Sequence, residues 1–308
     1  MSPLRAVMHR EAKIRTTNLM FIFWDLLYPL GYLLVFGVGI DRALMFGSIR
    51  PPGGYHAFFL AGVLGMASFG IASNTAWSFF MDRDNGVFFE MMTYPISRSE
   101  YLLGKVLFNV FVALLQAAAT IGLASAVLGV PMVWRLLPMT AVLVAVGTAA
   151  WFFFYAIFAI RVRQNDAFNS ITSIFYFVFL FASSMFYPLD PMPRLFQVFA
   201  YANPVTWQVD LLRYATTGAG HAATLEGEAA AFALFAALAF AGALMALRAE
   251  SRRSAEPTQQ LARPALVVLV LRAPFGCQRR VEGGRDPVRV GGVRVLRRRS
   301  CGQSRDIE

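Results

Sequence analysis

Charge is scarce in this 308-residue chain: Asp, Glu, Lys and Arg together make up 15% of it, against 57% hydrophobic residues. Several apolar runs exceed the roughly 18 to 20 residues that cross a bilayer, so composition overrides the two soluble domains that length alone would allow. The reading is a polytopic membrane protein. Cysteine is nearly missing as well. Cys277 and Cys301 both lie late in the chain, so no disulfide framework supports the apolar part. The histidines, His9, His56 and His221, are scattered and offer no metal constellation. No G-x-x-x-x-G-K-[ST] run occurs, which excludes nucleotide hydrolysis by that route, and no Ser/His/Asp arrangement can be placed from spacing. Asp25 is the only acidic residue inside the apolar runs. That scarcity argues against a proton- or sodium-coupled carrier, where intramembrane acids are expected.

What is present is a series of six apolar runs. The proposed spans are 19–40, 56–80, 102–130, 136–160, 167–187 and 229–247. The first is preceded by a polar segment with no small-residue cleavage site, and reads as a retained span rather than a signal peptide. Met1–Thr17 is basic and weakly amphipathic: Leu4, Val7, Met8, Ala12 and Ile14 share a helical face, with Arg5, His9 and Lys13 opposite. An interfacial helix is expected there, with Glu11 and Arg15 interrupting the apolar side and able to pair at i,i+4. Asp25 lies about two turns into the first span, within reach of an N-terminal Arg, so a structural ion pair is expected rather than a proton relay. In the second span Gly62-x-x-Gly65 would allow close helix approach.

The stretch that organises the chain is Met81–Tyr101. Asp82 to Gly86 favour a chain reversal. At 100° per residue Val87, Phe88, Met91, Met92 and Tyr94 share one face, with Glu90 and Thr93 on the other and Phe89 off the apolar side. Pro95 ends the short helix, and Ser97-Arg98-Ser99-Glu100 reads as a capping box for the next one. One reading is a connector lying on lipid headgroups; the other is a coupling helix that docks on a nucleotide-hydrolysing subunit through Val87, Phe88, Met91 and Met92, with Glu90 at the rim.

Between spans five and six, Leu189–Leu225 is too patterned for a plain loop. Arg194–Tyr201 is one helix candidate. Asn203-Pro204 starts a second and Gly218 stops it, and both are expected to dip into the outer leaflet. With the N-terminus inside, basic residues fall twelve to five in favour of the side that holds both termini and the organising loop. Residues 256–308 carry eleven Arg, no Lys and five acids. They have no amphipathic period and read as an extension without a fold of its own, which gives no ground for nucleic-acid binding.

With these elements in order, the chain resembles the permease subunits of ABC-2 type ABC exporters, near the daunorubicin-resistance and nodulation lipo-oligosaccharide branch. The resemblance rests on the N-terminal helix, the six spans and the run Glu90–Lys105. It rests equally on Met185-Phe186-Tyr187-Pro188-Leu189-Asp190-Pro191-Met192-Pro193, followed by Ala202-Asn203-Pro204-Val205-Thr206-Trp207 and Asp210-Leu211-Leu212-Arg213. It covers about residues 1–253, and the tail has no counterpart in it.

The resemblance implies an all-α integral membrane fold, with residues 1–255 as the transmembrane domain. It implies a chain that is not itself an enzyme and binds no cofactor. ATP and magnesium would sit in a separate ATP-binding subunit, and a second permease subunit would complete the complex, surrounded by membrane lipid. The location implied is the bacterial inner membrane, with both termini cytoplasmic. The cargo implied is an amphipathic drug, a lipid-linked saccharide or a polysaccharide, with Phe152–Phe154 and Phe175–Phe181 as candidate lining of the pathway. The opposed class is a stand-alone channel, carrier or scaffold with no ATPase.

Overall fold

The structure, a computed structural model, describes residues 3–17, 19–44, 54–220 and 222–262. Its helices are α1 (Pro3–Thr17), α2 (Leu19–Leu44), α3 (Tyr55–Asp84), α4 (Val87–Met91), α5 (Arg98–Ala126), α6 (Leu137–Arg161), α7 (Asn165–Phe181), α8 (Arg194–Tyr201), α9 (Pro204–Thr217) and α10 (Ala222–Ala262). A short 3-10 turn, Trp134–Leu136, leads into α6. Among the described residues there is no strand.

The chain divides into two units, Met1–Gln260 and Leu261–Glu308. Of the second, Leu261 and Ala262 are described, as the end of α10. Residues 256–260 fall in the first unit, and α10 continues past Arg252 and Arg253. Most of the Arg-rich tail lies outside the described residues.

Four helical stretches among the described residues are long and apolar enough to cross a membrane: Tyr55–Asp84, Arg98–Ala126, Trp134–Arg161 and Thr224–Ala249. The expected first span appears within α2 as a shorter apolar stretch, Phe23–Gly37. The expected fifth is the 17-residue α7, which ends at Phe181 rather than Tyr187.

α3 is the centre of the bundle. It is apolar or small on all sides, the pattern of a helix that must be surrounded, and it packs against α2, α5, α6 and α9. The glycines set how close those neighbours come. A Cβ on Gly62 would lie 2.6 Å from the Met185 carbonyl oxygen, and one on Gly65 would lie 2.7 Å from a Val209 methyl. The Gly62-x-x-Gly65 pair thus admits the Met185 turn and α9.

α9 departs from expectation. Its caps are as read: the Asn203 side chain accepts from the Val205 N–H at 3.0 Å, Pro204 sits at the first helical position, and Gly218 closes the helix at φ 73°. Yet it does not rest at a surface. Val205, Thr206, Gln208, Val209, Leu211, Leu212, Ala215 and Thr216 are buried, and Gln208 accepts from the indole N–H of Trp151 on α6 at 2.8 Å. That bond meets the Gln208 carbonyl oxygen at this depth, while its Nε2 has no hydrogen-bond partner among the described residues. On α8, by contrast, Leu195, Val198 and Phe199 are exposed and Ala200 is buried.

The motif residues around α9 act as fasteners. Asn203 Nδ2 donates to the carbonyls of Phe179 and Ala182 at 2.8 and 2.7 Å, satisfying groups at the end of α7. Asp210 pairs with Arg213 and accepts from Ser184 Oγ at 2.8 Å. Arg213 donates to the Ser184 carbonyl at 2.9 Å and lies 4.0 Å over the Phe58 ring.

Gly62→Ala should lower the thermal midpoint of the detergent-solubilised chain, by an amount equivalent to about 1–3 kcal/mol, because a backbone carbonyl cannot move aside as a flexible side chain can. Gly70→Ala, where a Cβ meets nothing within 4 Å, should leave the midpoint unchanged. Equal midpoints for the two variants in a fluorescence melt would refute the close-approach account.

Candidate functional site

The connection between α3 and α5 is built from short-range signals. Helical structure persists through Asp82, Arg83 and Asp84, so the reversal narrows to two residues. Asn85 N–H donates to the Met81 carbonyl at 2.9 Å, and Gly86 adopts φ 79°, a conformation that an L side chain rarely takes. α4 is a single turn. At the start of α5 the capping box is complete: Ser97 Oγ accepts from Glu100 N–H at 3.2 Å, and Glu100 Oε2 accepts from Ser97 N–H at 2.8 Å.

The face assignment of α4 needs correction. Phe88 is buried in its own chain, edge-on to Phe79 at 5.6 Å and to Tyr101 at 5.3 Å. It is not available to fill a groove elsewhere. Val87, Met91 and Met92 are half-buried, the two methionines against the same core. What points outward is Phe89, 49% exposed, with Glu90, Thr93 and Tyr94. Five helical residues do not complete two turns, so the neighbours of Phe88, not the period, decide which ring turns in. Among the described residues, the stretch from 87 to 94 thus has an inner half, Phe88 with the methionines, and an outer half, Phe89–Glu90 with Thr93–Tyr94.

Behind α4 lies a buried charge cluster that joins α1, α3 and α5. Lys105 on α5 has no solvent exposure. Its ammonium donates to Glu11 Oε1 on α1 at 2.7 Å, to Asp82 Oδ2 on α3 at 2.7 Å and to Ser78 Oγ at 3.0 Å. Asp82 also takes both Arg10 nitrogens, at 2.6 and 3.2 Å, and the Tyr101 hydroxyl. Two cations and two carboxylates balance, which is the condition for charges to be held out of water. Burial alone would ease the proton from the Arg10 guanidinium, but the hydrogen bond and charge of Asp82 outweigh it and hold Arg10 more firmly protonated than usual.

α1 is therefore docked through its supposed interruptions. Glu11 faces inward and meets Lys105 rather than Arg15, while Ile14 of the expected apolar face is 41% exposed. Arg15 pairs instead with Asp25, as a structural partner for that acid, and donates to Asn109 Oδ1 at 2.6 Å. Asn74 donates to the other Asp25 oxygen at 3.3 Å. Close packing seals the joint: a Cβ on Gly104 would lie 2.8 Å from Val7 Cβ. On the other side Arg83 donates to the Ala159 carbonyl at 2.6 Å and to the carbonyls of Ile160 and Val162, capping the end of α6.

The sequence reading missed Lys105, Asn109, Gln116 and Thr120 as a set. All four are buried, and their spacing of 4, 7 and 4 puts them on one face of α5. A polar seam at helical period along an apolar span was the available signal. Phe152 and Phe153 are buried between helices, while Phe177 and Phe181 line a cavity of about 540 Å³ beside α2, α3 and α7.

Among the described residues no group of His, Cys, Asp and Glu could hold a metal. What the cluster can do is hold three helices and the turn between them as one body. In comparison with known proteins, the model of the family described as ABC-2 type transporter matches residues 3–216. No curated protein matches the chain.

Lys105→Met leaves two carboxylates buried with Arg10 alone to share. Removing one partner of such a buried pair costs roughly 3–5 kcal/mol, so a large fall in the unfolding midpoint is expected, with part of it recovered in Glu11→Gln/Lys105→Met. A single variant as stable as the parent in a thermal melt would show that the cluster does not hold the joint.

Proposed function

Because this chain belongs to the ABC-2 type transporter family, we propose that it is the permease half of an exporter whose ATP is hydrolysed on a separate subunit. The match covers α1 through nearly all of α9, the part that contains the buried joint and the α3–α5 connection. In this reading α2, α3, α5, α6, α7 and α10 are the six spans, in a bacterial inner membrane. Both termini and α4 face the cytoplasm. Two permease copies, or two related permeases, pair with two ATP-binding subunits, which carry ATP and magnesium. The cargo is an amphipathic drug, a lipid-linked saccharide or a polysaccharide.

The observation that carries the coupling role is the two-sided character of the α4 stretch. Phe89 and Tyr94 are large and exposed beside Glu90, at a turn whose inner half is locked by Phe88 to Phe79 and Tyr101. An exposed aromatic pair with an acidic neighbour, rigidly backed, fits the anchor-and-rim pattern of protein interfaces. The partner surface therefore centres on Phe89, Glu90 and Tyr94, flanked by the half-buried Val87, Met91 and Met92. Motion imposed there would reach α3 and α5 directly, and α1 through Asp82, Lys105 and Glu11.

Phe89→Asp and Tyr94→Asp should release the ATP-binding subunit, cutting its co-purification at least tenfold while membrane insertion and thermal stability stay unchanged. Phe88→Ala should do the reverse, lowering stability by roughly 3–5 kcal/mol through the cavity it leaves. Glu90→Gln should have a smaller, salt-sensitive effect, as expected at a rim. Full co-purification and coupled hydrolysis in both aspartate variants would remove the docking role.

A further inference from the structure

A second cavity, of about 500 Å³, lies where α3, α6 and α10 leave the apolar part of the bundle. Asp84, Arg161 and Ala249, the last residues of three of the four candidate spans, all line it. It therefore sits at the level where apolar spans give way to lipid headgroups. Arginine dominates its lining. Arg161 and Arg163 are exposed there, and among the described residues neither guanidinium has a hydrogen bond or ion pair. Arg83 also lines it, with its guanidinium engaged by the carbonyls of Ala159, Ile160 and Val162. Those carbonyls are the negative end of α6 and would repel an anion if left open. Arg83 covers them. Among the described residues Asp84 is the one acid in the lining. The wall given by α10 belongs to the least buried of the four candidate spans, so that side of the cavity adjoins the bilayer.

We propose that this cavity holds the head of an anionic phospholipid, a phosphate that no cation of its own head neutralises. Two guanidiniums two positions apart offer forked donors that match phosphate oxygens in pairs. A zwitterionic head brings a quaternary ammonium with its phosphate, and the same two arginines repel it. Phe89, Ile160 and Ala246 give the cavity an apolar side, against which the glycerol and the first methylenes of the lipid rest. Free phosphate shares the anionic chemistry but has no use for that apolar side or for a place at the ends of three spans. In the orientation proposed above the site faces the cytoplasmic leaflet, where basic pockets between spans meet anionic heads. The lipid chemistry itself does not depend on that orientation.

The test uses the full chain in discs of phosphatidylcholine mixed with phosphatidylglycerol of the same acyl chains. Retained lipid is read by native mass spectrometry as the chain is released from the discs. At least fivefold enrichment of phosphatidylglycerol over its share of the mixture is expected. Arg161→Gln/Arg163→Gln should abolish that enrichment and leave the thermal midpoint in pure phosphatidylcholine unchanged. Arg5→Gln/Lys13→Gln, which removes the same charge from exposed positions of α1, should keep it. Should the double arginine variant fail to insert, each single substitution is expected to lower the enrichment at least twofold. No enrichment in the parent, undiminished enrichment in the arginine variants, or an equal loss in the α1 control would overturn the proposal. So would saturable, Arg161- and Arg163-dependent binding of inorganic phosphate that displaces the retained phosphatidylglycerol at equal concentration, which would give the site to free phosphate. Loss of the ATP-binding subunit from the arginine variant with lipid enrichment intact would give the pocket to an acidic protein surface instead. The lipid readout needs no ATP-binding subunit, so its failure leaves the exporter reading standing.

Discussion

A lysine ammonium with no access to water has to be neutralised where it stands, and Lys105 is such a group. Its two carboxylate partners come from helices far away in sequence, Glu11 on α1 and Asp82 on α3. Desolvating charges is expensive, and only short, fully satisfied contacts offset the cost. The consequence is geometric. α1, the end of α3 and the start of α5 can exist in the compact state only in one mutual arrangement. The remaining charges follow from it: Arg10 completes the coordination of Asp82, and Arg15, one turn further along α1, is brought to Asp25. Such an arrangement contributes specificity more than stability, because a well-packed apolar replacement of the whole cluster would hold at least as firmly.

The turn between α3 and α5 inherits this rigidity. Phe88 fills the space beside Phe79 and Tyr101, and Tyr101 in turn donates to Asp82. The outward residues of the connection are therefore mounted on the charge cluster through one aromatic ring and one hydroxyl. At the other flank Arg83 ties the same turn to the end of α6. A force applied at Phe89 and Tyr94 meets a joint connected to four helices rather than a loose loop.

Legibility in the sequence divided along the range of the interactions. Local devices were readable: the Ser97–Glu100 capping box, the Asn203-Pro204 start and Gly218 stop of α9, and the close approach at Gly62 and Gly65. Each depends on residues a few positions apart, or on the lack of a side chain. The membrane class was readable from composition, because apolar runs need no tertiary information. The charge cluster was not, since its pairs are separated by 23, 72 and 94 positions, and helical period alone made Glu11 look like a flaw in an apolar face. The inward turn of Phe88 was missed because a five-residue helix has too little period to fix a face. The depth of α9 was not readable either, because the contact between Gln208 and Trp151 joins positions 57 apart.

The central claim is that the α3–α5 turn and α1 move as one body because Lys105 joins them. Hydrogen exchange tests it most directly, comparing amide protection in residues 88–94 and in α1 before and after the proposed ATP-binding subunit is added. The account predicts that both segments change protection together in the parent chain. In a folded Lys105→Met variant the turn should still respond while α1 no longer does. A response in α1 that persists without Lys105, or one absent from the parent, would contradict it.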